Sequence, residues 1–195
     1  MGPLPTARGS LKYLLVGTDY FTKWIEAEPL AKITEPNAER FVWKNIITRF
    51  GIPYAIVSDN GTQFQDKFKR FCSVYNIKNY YSSVSYPQCN GQEEASNKTV
   101  LDGIKKRLEK AKGSWIDELP SVLWAYQTTP RRGTGETPYS LAYGVEAVIP
   151  LEIGYPTIRR TLVEQGGNDR AMRFQLDMAE ESREQALIRL ANYQA

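Results

Sequence analysis

Tyr13-Leu-Leu-Val-Gly-Thr-Asp19 is a short apolar run ending in an acid, and Tyr54-Ala-Ile-Val-Ser-Asp59 repeats the pattern further along the chain. Runs of this length without polar alternation suit strands buried on both faces. Between them, Thr34 precedes a stretch that carries Phe41, Val42, Ile46 and Phe50 at helical spacing, stopped by Gly51 and Pro53. Pro36 falls in its first turn, where a missing N–H costs nothing. Strand, helix and strand in that order predict a right-handed crossover, with the two apolar strands paired in parallel. Asp19 and Asp59 would then stand side by side at the carboxyl ends of those strands, where open α/β sheets place their sites.

Working outward, Trp24-Ile-Glu-Ala-Glu28 alternates apolar and polar residues and predicts an antiparallel neighbour of the first strand with one face covered. Tyr20-Phe-Thr-Lys23 would be the turn between them. Phe68, Phe71, Cys72 and Tyr75 recur at i, i+3, i+4 and i+7, which predicts a short helix from Asp66 to Tyr75. Asn79 to Ser83 reads as an edge strand, and Ser85-Tyr-Pro-Gln-Cys-Asn-Gly91 as a turn-rich loop. A long helix is expected from Gln92 to Lys112, with Leu101, Ile104 and Leu108 inward and Gly113 closing it. Another is expected from Trp115 to Tyr126, then a loop from Arg131 to Pro138, with Tyr139 to Pro150 packing back on the body. Beyond Gly154 the composition changes, and Asp169 to Tyr193 is charged and helical. Its narrow stripe of Met172, Leu176, Ala179, Ala186 and Leu190 needs a partner. The expected division is a core over residues 1–150 and a linker with an amphipathic helix over 151–195.

Composition narrows the chemistry. With 195 residues and 42% hydrophobic content, the chain can bury the core of one ordinary domain. No apolar run approaches a membrane span, and the first residues lack a signal-peptide stretch, so a soluble, non-secreted protein is expected. Histidine is absent, which excludes zinc fingers and any triad with an imidazole base. The two cysteines, Cys72 and Cys89, are too few for a disulfide framework. Catalysis must rest on carboxylates, lysines, tyrosines, hydroxyls or bound metal. A net charge of +3 is by itself a weak pointer to nucleic acid.

Two carboxylates brought together repel each other unless a cation lies between them. Magnesium and manganese, which favour carboxylate and water oxygens, are the natural occupants. A third carboxylate from the helix that begins near Gly91 would complete the set. Singly, each acid has a bland explanation. An aspartate at a strand end commonly forms a turn, and Asn60-Gly61 after Asp59 is itself a turn signature. Glu94 is one more acid in a first helical turn, where the macrodipole favours it.

Together, three blocks resemble the signature of integrases from Gypsy-type long-terminal-repeat retrotransposons. They are Asp19-Tyr-Phe-Thr-Lys-Trp24, Ser58-Asp-Asn-Gly-Thr-Gln-Phe64 and Tyr86-Pro-Gln-Cys-Asn-Gly-Gln-Glu-Glu-Ala-Ser-Asn97. The resemblance continues through Trp115-Ile-Asp-Glu-Leu-Pro-Ser-Val-Leu-Trp-Ala-Tyr126 and Gly135-Glu-Thr-Pro138, and more loosely into Ala142 to Pro150. It implies an RNase H-like α/β fold, with a mixed five-stranded sheet flanked by helices and a C-terminal helical extension. It also implies a triad that holds two Mg2+ or Mn2+ ions, here Asp19, Asp59 and Glu94. The implied activity is DNA integration by 3′-end processing and strand transfer of element DNA. The implied partners are DNA and further copies of the chain, with no membrane and no small-molecule substrate. The implied place of action is the nucleus, after synthesis in the cytoplasm.

The sequence departs from the family pattern at three points. Tyr86 stands where histidine is usual, Glu93 precedes the glutamate, and residues 60–93 make a 34-residue gap between Asp59 and Glu94. Glu93 would point about 100° away from Glu94 on a helix, which makes it a rival ligand and not a spoiler. Three alternatives stay open. One is a catalytically degenerate integrase remnant that keeps nucleic-acid binding. Another is an RNase H-type nuclease, for which Glu39 on the first helix is the candidate extra ligand. The last is an interaction module built on the charged C-terminal helix.

Lys98 and Asn97 follow Glu94 at i+4 and i+3 on the expected helix, so both share its face and are candidate DNA contacts. Lys105 continues the basic series, which runs on through Lys106, Arg107, Lys110 and Lys112; such residues give affinity for phosphates without choice of sequence. Gln92 joins the DNA-contact set through the resemblance alone. With no histidine for a zinc-binding domain, the chain is expected to be a core fragment that does not perform concerted integration by itself.

Overall fold

A computed structural model describes residues 1–81, 102–147 and 168–194. Strand β1 (Tyr13–Thr18) pairs with β2 (Ile25–Leu30) in a two-stranded sheet. The Lys12 amide donates to the Leu30 carbonyl and the Asp19 amide to the Trp24 carbonyl, so the pair is an antiparallel hairpin. Helix α1 begins at Glu35–Phe41, continues as a π-wound segment over Val42–Ile47, and ends in the turn Thr48–Phe50. Strand β3 (Ala55–Ser58) is followed by α2 (Asp66–Val74) and β4 (Lys78–Tyr81). Then come α3 over 102–110, α4 (Trp115–Gln127), α5 (Pro138–Tyr143) and the long α6 (Asn168–Gln194). No described helix is long and apolar enough to cross a membrane.

The strand pairing differs from the expectation. Among the described residues β3 pairs in parallel with β4, Ala55 opposite Lys78 and Ser58 opposite Tyr81, and β1 pairs with β2 alone. Among the described residues two small sheets stand where one five-stranded sheet is expected. Neither run is buried on both faces as expected: β3 has no buried residue, with Val57 65% exposed, and in β1 only Leu14 is buried, so an apolar run decides neither a strand's burial nor its neighbour. The crossover through α2 is short, and sequential elements settle next to each other.

The chain divides into two compact units: Met1–Gly17 with Glu26–Leu123, and Thr18–Ile25 with Trp124–Ala195. In the first, Phe41 and Val42 of α1 pack with Phe68 and Cys72 of α2 and with Ile77, ringed by Leu15, Ile46, Ile47, Ile56, Phe64, Phe71 and Tyr75. The π winding explains the choice of residues in α1. A wider turn brings residues five apart into line, so Ile46 and Ile47 follow Phe41 and Val42 onto the core face. Phe50, expected on that face, is 43% exposed. The polar face of β2 is covered as well: Arg49 of α1 donates to Glu26 at 2.5 Å, and Arg40 and Asn45 to Glu28 at 3.1 and 3.0 Å. Thr34 occupies the N-cap of α1, but its hydroxyl makes no capping bond; its carbonyl accepts the Asn37 and Ala38 amides instead.

Ile104 and Leu108 of α3 are buried, as the periodicity predicts, while Leu101 lies outside the described residues. The helix stops earlier than expected, because Lys112 and not Gly113 takes the left-handed conformation, with φ 51°. Trp115, Leu119 and Val122 of α4 are buried, and the Trp115 indole donates to the Pro5 carbonyl at 2.8 Å.

In the second unit Trp24 is buried with its ring 5.1 Å from Tyr143 and 6.0 Å from Tyr139. Gln127 donates to the Ile25 carbonyl at 2.9 Å, and Thr137 caps α5 by accepting from the Ser140 amide. Gly144 ends α5 at φ 76°, and a Cβ there would stand 3.0 Å from the Ala179 methyl of α6. The stripe of α6 is thus partnered along part of its length: Ala179, Ala186 and Leu190 are buried, and Met172 and Leu176 stay exposed. Burial pushes the Tyr126 phenol up, opposed by the Arg131 charge stacked over its ring.

Two measurements check this packing. Phe68 is fully buried, so Phe68→Ala should lower stability by about 3–5 kcal/mol in denaturant titration, through lost transfer energy and a cavity. A loss under 1 kcal/mol would contradict its placement. Cys72 is also buried, and desolvation, reinforced by the Glu39 charge, raises its thiol pKa against a local backbone hydrogen bond. In a Cys89→Ser background, the Cys72 thiol should therefore resist an aromatic disulfide reagent in the native protein and react on unfolding. Its stabilising preference for the neutral form is complete below the unfolded thiol pKa, and is lost as pH rises through the folded value.

Candidate metal centre

Asp19 is the first residue after β1, at the head of a turn whose geometry its own side chain sets. The Thr22 amide and hydroxyl both donate to Asp19 Oδ1, at 2.8 and 2.7 Å. The backbone closes the turn from both sides, Asp19 N–H to the Trp24 carbonyl at 2.9 Å and Lys23 N–H to the Asp19 carbonyl at 3.1 Å. Lys23 takes φ 60°, the left-handed conformation that such a reversal demands. Trp24, the next residue, is buried and holds the end of the turn in place.

Asp59 is likewise the first residue after its strand, β3. Its Oδ1 accepts from the Gly61 amide at 2.9 Å and from Gln63 Nε2 at 3.3 Å. Thr62–Phe64 then forms a 3-10 turn, with Phe64 packed on the core by its 5.2 Å contact with Phe68. An open groove of about 570 Å³ runs beside this loop, lined by Ile33, Thr34, Glu35, Thr62, Gln63, Gln65 and Asp66. Burial brings the Met1 amine below its ordinary pKa, against the Asp59 charge and with the Lys105 charge.

Both aspartates are exposed to solvent. Each has its Oδ1 engaged by local donors, and among the described residues no hydrogen bond reaches either Oδ2. That donor set fits a hydrated magnesium or manganese ion, which takes carboxylate and water oxygens. The two residues fall in different compact units. Glu94, Gln92, Asn97, Lys98 and Glu93 lie outside the described residues, and among the described ones no three acidic, histidine or cysteine side chains gather. Lys105 is on α3 within 3.7 Å of Glu109, a half-exposed pair of small energetic weight. Glu39 lies half-buried on α1, and its charge adds to the burial that raises the Cys72 thiol pKa. Thr22, Gly61 and Gln63 are not singled out by motif reading, although a backbone N–H two residues after an aspartate, as at Gly61, is the usual donor of an Asx-turn.

Residues 2–87 match the model of the integrase core domain family. The chain is 35% identical over 150 residues to the Gag-Pol polyprotein of avian reticuloendotheliosis virus, covering 76% of this chain and 13% of the polyprotein. It is 36% identical over 135 residues to that of gibbon ape leukemia virus, covering 68% of this chain and 8% of that one. The chain thus spans a small part of the curated relatives it matches. Among solved structures, a chain of the simian T-cell lymphotropic virus intasome matches with a TM-score of 0.56 and 20% identity, over 76% of this chain and 58% of that one. The HTLV-2 integrase catalytic core domain, solved with magnesium in a trimeric form, matches with a TM-score of 0.52 and 22% identity, over 73% of this chain and 99% of that one. Residues 2–87 are therefore similar to an integrase core domain, and the fold is the RNase H-like one of integrase catalytic cores.

Proposed function

We propose that this chain is the catalytic portion of an integrase from a Gypsy-type long-terminal-repeat retrotransposon, and that it joins element DNA to target DNA by phosphoryl transfer. One observation carries the reading: Asp19 and Asp59 each stand exposed at the end of a strand, with one oxygen held by local donors and the other without a donor among the described residues. Glu94 is the third ligand in this reading, and Gln92, Asn97, Lys98 and Lys105 contact the DNA backbone. Two bound Mg2+ or Mn2+ ions would supply activation of the attacking hydroxyl and stabilisation of the leaving oxygen. The residues of the chain hold and orient, and no covalent enzyme intermediate is needed. The magnesium-bound catalytic core of HTLV-2 and its trimeric form support both the choice of ion and assembly into a homo-oligomer. The core of the reading ends near residue 150, with the charged helix beyond it, and the substrate places the reaction in the nucleus.

The test is reversal of strand transfer on a branched DNA substrate in Mn2+, by the parent and by Asp19→Asn, Asp59→Asn and Glu94→Gln. The parent should cleave and rejoin the branch, and each neutral variant should fall to background. Because Asp19 and Asp59 are exposed and asparagine keeps the turn chemistry, these two variants should melt within about 0.5 kcal/mol of the parent. Cleavage retained by any variant removes that residue from the ligand set. A folded parent without activity would favour a remnant that binds DNA and does not catalyse.

A further inference from the structure

Both aspartates carry the same local device, on loops of different sequence. At Asp19, Thr22 supplies two donors to Oδ1, its amide at 2.8 Å and its hydroxyl at 2.7 Å. The Trp24 amide donates into Thr22 Oγ1 at 3.2 Å, so the single hydroxyl proton is directed at Asp19. At Asp59, the Gly61 amide and Gln63 Nε2 converge on Oδ1 at 2.9 and 3.3 Å. Gly61 has φ −62°, which any residue adopts, yet a Cβ there would stand 2.2 Å from Gln63 Nε2. What the glycine provides is room for the Gln63 amide to reach Asp59.

We propose that Thr22 and Gln63 are positioning residues, each holding Oδ1 of its aspartate so that Oδ2 is presented to a divalent cation through one oxygen. This rests on the reading of Asp19 and Asp59 as metal ligands and adds what orients them. Magnesium demands near-octahedral geometry at short distances, so a carboxylate free to swing between one- and two-oxygen binding would hold it poorly. Hydrogen bonds to the non-ligating oxygen remove that freedom. Partners of this kind typically change metal affinity or activity by about 10- to 100-fold when lost.

The experiment titrates Mn2+ into the full chain, reading free ion by electron paramagnetic resonance. The half-saturating metal concentration of the branched-DNA reaction is measured alongside. Thr22→Val keeps the shape and loses the hydroxyl, and Thr22→Ser keeps the hydroxyl. Gln63→Met keeps the length and loses the donor, and Gly61→Ala leaves Gln63 in the sequence but displaces its amide. Thr22→Val and Gln63→Met should each weaken Mn2+ binding about 10- to 100-fold and raise half-saturating metal by a similar factor. Their rates at saturating metal should fall far less. Thr22→Ser should restore parental binding, and Gly61→Ala should behave like Gln63→Met. A merely structural role would not separate metal affinity from saturated rate in this way. Should Thr22→Val fail to fold, Thr22→Ala takes its place for that loop, and the Gln63 and Gly61 variants decide for the other. Parental Mn2+ affinity in the folded Thr22 and Gln63 variants, with affinity lost in Asp19→Asn and Asp59→Asn, overturns the proposal and leaves the ligand reading standing. A loss in only one of the two loops overturns it for the other. No Mn2+ binding by the parent overturns both.

Discussion

Burial of Phe68 and Cys72 against Phe41 and Val42 locks α2 onto α1, and the surroundings of the second aspartate follow from that contact. Because α2 cannot slide, Phe64 stays on the core and the 3-10 turn before it keeps its shape. That turn places Gln63 over Gly61 and within reach of Asp59. A polar site exposed to water is thus held by an apolar contact a few residues away. Interiors pack densely and transmit displacement, so a shift in the core would be felt at the carboxylate.

The first aspartate is secured differently. Its turn is a closed network of short-range hydrogen bonds from Thr22, Lys23 and Trp24, with the buried Trp24 ring as anchor. Hydrogen bonds to a charged acceptor are among the stronger ones in proteins, and here they cost no long-range ordering. Two loops with different sequences reach the same result: an aspartate whose first oxygen is occupied and whose second is open.

Electrostatic arrangement elsewhere is modest. Acids on β2 are matched by Arg40 and Arg49 on α1, which turns what periodicity marks as a solvent face into an interface between strand and helix. Long cationic side chains permit this, since their apolar stems cover the sheet while their heads reach the carboxylates. Lys105 keeps a neighbour in Glu109 and also acts on the Met1 amine that Asp59 faces.

Local pattern by itself determined that two apolar runs end in Asp19 and Asp59, that Phe68 and Cys72 face a core, and that α6 forms with Ala179, Ala186 and Leu190 on its buried side. Those features depend on residues within a few positions of one another, and periodicity reads such distances directly. The ordered motif blocks likewise pointed to an integrase core before any geometry, as the family match over residues 2–87 supports. Only the tertiary structure decided that β3 takes β4 as its parallel neighbour, that α1 winds as a π-helix and turns Phe50 outward, and that Lys112 breaks its helix. It also decided that Thr22 and Gln63 lie on the two aspartates. Strand neighbours, helix winding and side-chain donors are chosen by contacts between residues competing for the same space, and a one-dimensional pattern carries no record of that competition.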